Sequence, residues 1–92
     1  MHETGIVRDL IRRVEATARE AGATRVSAVQ VRLGALSPFS AAHFREHFEE
    51  EARGTLAEGA DLRIRTSEDA GDPDALRVMM ESVGLEVPEE SR

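Results

Sequence analysis

No cysteine occurs in the 92 residues of this chain. That excludes disulfides, a thiol nucleophile and every zinc finger or ribbon built on thiolates. Aromatics are nearly absent at 3%, so the core must come from Val, Leu, Ile and Ala together with Phe39, Phe44 and Phe48. Basic charge is also short. A formal net charge of −6 argues against a nucleic-acid binder, which needs a basic face for phosphates, and against an anionic membrane surface. No apolar run is long enough to span a bilayer, and the first residues lack the charged and apolar regions of a signal peptide, so a cytoplasmic location is expected. Nothing resembles a nucleophile elbow or a phosphate loop, and with no catalytic constellation the expectation is a binding protein rather than an enzyme.

What is present is a globular composition, 40% apolar and 33% charged, sized for one domain with one modest core. From Glu3 to Ala21 the apolar residues Ile6, Val7, Leu10, Ile11, Val14 and Ala18 recur in steps of three and four, one face of a helix. Arg8, Arg12, Arg13, Glu15, Arg19 and Glu20 fall on the other side, and Gly22 is a natural stop. In "RVSAVQVRL" (25–33) Val29, Val31 and Leu33 alternate with polar residues, as in a strand. "GALSPFS" breaks that pattern. Ser40 can cap a second helix running to about Ala52, with Phe44 and Phe48 on its buried side.

"RGTLAEG" reads as a connector, and "ADLRIRT" as a short strand with Leu62 and Ile64 on one face. "SEDAGDPD" is an acidic turn; its Asp69, Asp72 and Asp74 lack the length and distal glutamate of an EF-hand loop. A last strand is predicted in "LRVMMESVGLEV", where Val83, Leu85 and Val87 alternate and Met79 and Met80 point to opposite faces. The tail from 88 to 92 is expected to fray. The order helix-strand-helix-strand-strand predicts an α+β fold, two helices packed on one face of a three-stranded mixed sheet.

The chemistry is concentrated at "MHE". The α-amino nitrogen of Met1, the backbone nitrogen of His2 and its imidazole can close one five-membered and one six-membered chelate ring. Glu3 can add a backbone nitrogen or its carboxylate. Planar, nitrogen-rich ligation suits Ni(II) or Cu(II) and suits zinc poorly. His43 and His47, four apart on the second helix with Glu46 and Glu50 adjacent, are a second candidate metal site, weighed against an exposed polar face beside Phe44 and Phe48.

Taken together, "MHE", the amphipathic helix, "VQVRLGALS" and "RGTLAEGADLRI" resemble the HypA family of nickel metallochaperones. The likeness runs from Met1 to about Thr66 and resumes in the last strand. It implies Ni(II) bound at Met1, His2 and Glu3, delivery to [NiFe] hydrogenase or urease, and a HypB-type GTPase and the hydrogenase large subunit as partners. It also implies a zinc ribbon with two Cys-x-x-Cys pairs between the last two strands. Here that place holds only residues 67–74, so the expectation is a single nickel-binding domain over 1–92 with no zinc subdomain and no zinc. The competing expectation is a metal-free interaction or regulatory paralogue that docks on the same assembly machinery.

Overall fold

The computed structural model describes residues 3–88. Helix α1 spans Glu3–Glu20, strand β1 Arg25–Leu33, helix α2 Ala41–Glu51, strand β2 Asp61–Thr66 and strand β3 Val78–Glu86. The fold is α+β, with a mixed sheet in the order β2-β1-β3. β1 pairs with β2 in parallel and with β3 antiparallel. The parallel pair requires a crossover, and α2 supplies it.

The apolar stripe of α1 packs inward as its spacing requires, with Val7, Leu10, Ile11, Val14 and Ala18 all buried. Gly22 ends the helix in the left-handed conformation (φ 74°), and Ala23 N–H reaches back to the Ala18 carbonyl at 2.8 Å. α2 is capped by Ser40, whose Oγ accepts from His43 N–H at 3.1 Å. Phe44 and Phe48 are completely enclosed and join Val26, Val29, Val31 and Leu33 of β1 in the core.

One residue assigned to the solvent side of α1 is anchored instead. The Glu15 side chain is only 17% exposed, because its carboxylate accepts the N–H of Leu56, 41 positions further on, at 3.0 Å. It thereby fastens the connector that follows α2, and Leu56 in turn accepts from Val26 N–H at the start of β1.

Two bulges break strict alternation. Between Val26 and Ala28 the pairing skips Ser27, and between Gln30 and Val31 it skips Glu81 on β3. Each extra residue shifts the side-chain phase. Val26 and Val29 therefore both face the core, as do Met80 and Val83. The predicted alternation through Val87 stops short: β3 ends at Glu86 and Val87 is 55% exposed. Met79 and Met80 do point to opposite faces. Met80 packs against the core, while the Met79 sulfur accepts from an Arg32 nitrogen on the open side.

The second bulge has an electrostatic result. Glu81 lies on the open face of the sheet, where its carboxylate accepts from Arg65 at 2.7 Å and from Gln30 at 3.3 Å, with Arg32 3.7 Å away. The Arg65 hydrogen bond is the main cause that holds its pKa below the ordinary 4.5, aided by Gln30 and the two arginine charges. A carboxyl that is more acidic folded than unfolded stabilises the fold above the unfolded pKa, and that contribution is lost as pH falls through the folded pKa. Glu81→Gln should therefore flatten the decline of stability below about pH 4.5 while leaving the neutral-to-alkaline profile parallel to that of the parent. Urea midpoints measured across the acid range check this, and an unchanged acid slope would refute it.

Candidate metal site

The helix directions determine what can meet at one end of the domain. α1 turns tightly into β1 and runs antiparallel to it. α2 connects two parallel strands, so it also runs antiparallel to β1. The two helices are consequently parallel, with their N-termini at the same end. Their relative height is set by Arg8 of α1, whose Nε lies 3.0 Å from Glu51 Oε1 of α2. The Glu51 hydrogen bond and charge raise the Arg8 pKa further above its ordinary value.

A rise of 1.5 Å per residue places Glu3 about 7.5 Å before Arg8, His47 about 6 Å before Glu51 and His43 about 12 Å before it. His47 also precedes Glu51 by one turn, on the same side of α2. The half-buried His47 thus stands level with the start of α1, and the exposed His43 lies beyond it. Met1 and His2 lie outside the described residues. Glu3 is the first residue of α1. The start of α1 and the histidine pair, 40 residues apart in sequence, belong to one end of the fold.

The histidine pair itself is closely matched. His43 Nε2 and His47 Nε2 are 3.0 Å apart, and their ring centroids 4.6 Å. Phe39, itself 5% exposed, presents edge-to-face contacts to both rings, with centroids 6.0 Å from His43 and 6.3 Å from His47. Phe39 is held in the loop before α2, where its N–H donates to Ser37 Oγ at 3.2 Å. Its role at the pair was not anticipated from sequence, although "SPFS" places it one turn before His43. Glu46 and Glu50 do not complete a site. Among the described residues no three of His, Asp and Glu converge as metal ligands.

The acidic turn 67–74 is occupied with its own backbone. Asp69 Oδ1 accepts from Gly71 N–H at 2.9 Å and Asp72 Oδ1 from Asp74 N–H at 2.8 Å. Among the described residues no helix is long and apolar enough to cross a membrane.

A family model described as "Hydrogenase/urease nickel incorporation, metallochaperone, hypA" matches residues 1–72. The chain belongs to the HypA family. The hydrogenase maturation factor HypA of Chlorobium limicola is 42% identical over 64 residues, covering 70% of this chain and 55% of that protein. The Nitrosospira multiformis HypA is 35% identical over 86 residues, covering 94% of this chain and 69% of that one. This member of the family thus spans little more than half the length of relatives such as the Chlorobium protein. The solution structure of the Ni metallochaperone HypA from Helicobacter pylori superposes with a TM-score of 0.79 at 20% identity, over 96% of this chain and all of that one. At that identity the HypA likeness concerns the fold, and it agrees with the α+β arrangement above.

Proposed function

We propose that this chain is a nickel-binding accessory protein that takes up Ni(II) at Met1, His2 and Glu3 and passes it on during assembly of [NiFe] hydrogenase or a related nickel enzyme. The observation that carries this reading is the Met-His-Glu sequence leading directly into α1, within a stretch matched by the HypA family model from residue 1. The first N–H groups of a helix have no intrahelical acceptor. The Glu3 amide can therefore lose its proton to a metal without breaking the helix ladder. Losing amide protons also lowers the charge of the chelate, which reduces its conflict with the positive end of the helix.

In this reading the protein binds cargo and catalyses nothing, and it acts as a single unit in which the connection 67–74 takes the place of a zinc ribbon. A HypB-type GTPase and the hydrogenase large subunit are the partners that the family suggests. A terminal chelate suits transfer because its ligands can be exchanged one at a time. Copper(II) would compete for the same nitrogen set, as the general affinity order of divalent ions dictates. A metal-free docking role has one observation of its own. Leu36 and Leu76 are 53% and 69% exposed on adjoining backbone, joined by Leu36 N–H to the Ala75 carbonyl at 2.7 Å.

The sequence contains no lysine, so the α-amino group of Met1 is its one primary amine and can be acetylated selectively. Ni(II) titration by calorimetry near neutral pH should find tight binding of one ion by the untreated protein. Acetylation, or His2→Ala, should remove that binding, and acidification should weaken it, because every ligand is in competition with protons. Equal affinity before and after acetylation would sink the terminal chelate. Absence of nickel binding altogether would favour the docking role.

A further inference from the structure

We propose that His43 and His47 form a second, weaker Ni(II) site, a two-imidazole chelate on α2 at the same end of the domain as the start of α1. The choice of nickel as its ion rests on the function proposed above; the geometry of the pair does not.

The spacing of the rings is the first support. Two nitrogens 3.0 Å apart, each about 2.0–2.1 Å from a metal ion, subtend roughly 90–95° at that ion. This is the angle between adjacent ligands in square-planar or octahedral coordination, the geometries that nickel(II) adopts with nitrogen and oxygen donors. A tetrahedral centre would hold the same nitrogens about 3.3 Å apart. The spacing therefore fits two adjacent positions on nickel(II), and the preference for nickel over other divalent ions comes from the function proposed above.

Preorganisation is the second. The i, i+4 spacing puts both rings on one side of the helix, the Ser40 cap fixes the turn that carries His43, and Phe39 packs edge-on against both imidazoles. Metal binding then requires only a tilt of the two rings, so that both Nε2 atoms turn from each other toward a shared ion. In the neutral pair one Nε2 carries a proton and the other accepts it. An entering ion takes both Nε2 lone pairs, and the displaced proton moves to Nδ1 of the same ring, so that each imidazole stays neutral. Water fills the remaining coordination positions.

The third consideration explains why the site is weak. His43 is in the first turn of α2, where the helix dipole opposes a cation, and the described residues supply no third ligand that converges on the pair. Two neutral donors at a positive helix end hold nickel more loosely than the proposed terminal chelate.

The test uses the full chain with its amine acetylated, which closes the terminal chelate and leaves His2 without the amine that would chelate with it. Ni(II) alone is titrated while the ring proton resonances of the three histidines are followed, His2 serving as the internal standard for a lone imidazole. The expected result is that His43 and His47 broaden together at nickel concentrations about tenfold or more below those affecting His2, chelation outcompeting single-point contact. His47→Gln should then raise the concentration needed at His43 to that of His2, with circular dichroism confirming that α2 remains. The proposal is overturned if all three histidines respond alike, or if His43 responds unchanged in the His47→Gln protein. The untreated protein separates the two claims. A tight first equivalent lost on acetylation supports the terminal chelate whether or not the helical pair responds, and a paired response without such a loss supports the helical site alone.

Discussion

Phe44→Ala is expected to destabilise the domain by about 3–5 kcal/mol, the usual range when a fully enclosed aromatic ring is truncated. Phe44 has no exposed surface. It meets Phe39 edge-to-face with centroids 5.3 Å apart at 87°, and it stacks on Phe48 at 6.3 Å. With only three aromatic residues in the chain, this cluster has no substitute, and all three members meet where α2 packs on the sheet. Small domains are stable by about 5–15 kcal/mol in total, so the loss is a large fraction of the whole. Thermal unfolding should shift down by roughly 4–8 °C per kcal/mol. A shift of only a few degrees would mean that the helix repacks without its anchor. Because Phe39 touches both Phe44 and the histidine rings, the same variant should also blur the ordering of His43 and His47.

Gly34→Ala should be the costliest of the small changes. A Cβ at this position would collide with the carbonyl group of Ala75 and with the Asp74 oxygen, all backbone atoms that cannot rotate aside. The contact is tight because Gly34 N–H donates to the Arg77 carbonyl at 2.9 Å and Leu36 N–H to Ala75 at 2.7 Å. Relieving the overlap means pulling the segment before β3 off the end of β1. Overpacking of this kind costs typically about 1–3 kcal/mol, and here two backbone hydrogen bonds are strained with it. Urea denaturation gives the loss directly. Hydrogen exchange should show the Gly34 and Leu36 amides losing protection first. Unchanged stability would show that this segment yields freely.

How far such features could be read from sequence depended on their range. The stripe of α1, the cap at Ser40 and the burial of Phe44 and Phe48 follow from local periodicity, which a helix obeys wherever it packs. Glu15 escaped because its partner, Leu56, lies 41 positions away, and nothing near Glu15 distinguishes it from its exposed neighbours. The extension of β3 to Val87 failed for a different reason. Glu86 pairs with Arg25, the first residue of β1, and the alternation within one segment gives no warning that the neighbouring strand has run out. At the candidate site, the His43–His47 pairing was legible from their spacing. That the pair shares an end with the head of α1 was not, because it depends on two helices running parallel, a property of the strand connections. Met1 and His2, the leading candidates, remain an inference from chemistry and family.

The connection from β2 to β3 also leaves the domain open to modular redesign. Its two rims are clasped by consecutive residues of one strand end: Ser67 N–H donates to the Leu33 carbonyl at 2.8 Å, and Arg77 accepts from Gly34 N–H. With both rims fixed from outside, the polypeptide between them is a replaceable cartridge. Each doubling of its length adds only about 0.6 kcal/mol of closure entropy. A folded insert whose own termini lie close together could be spliced between Glu68 and Asp72 without disturbing the sheet or the helix pair, and because β1 and β2 end together at Leu33 and Thr66 it would stand at the same end of the domain as the heads of α1 and α2.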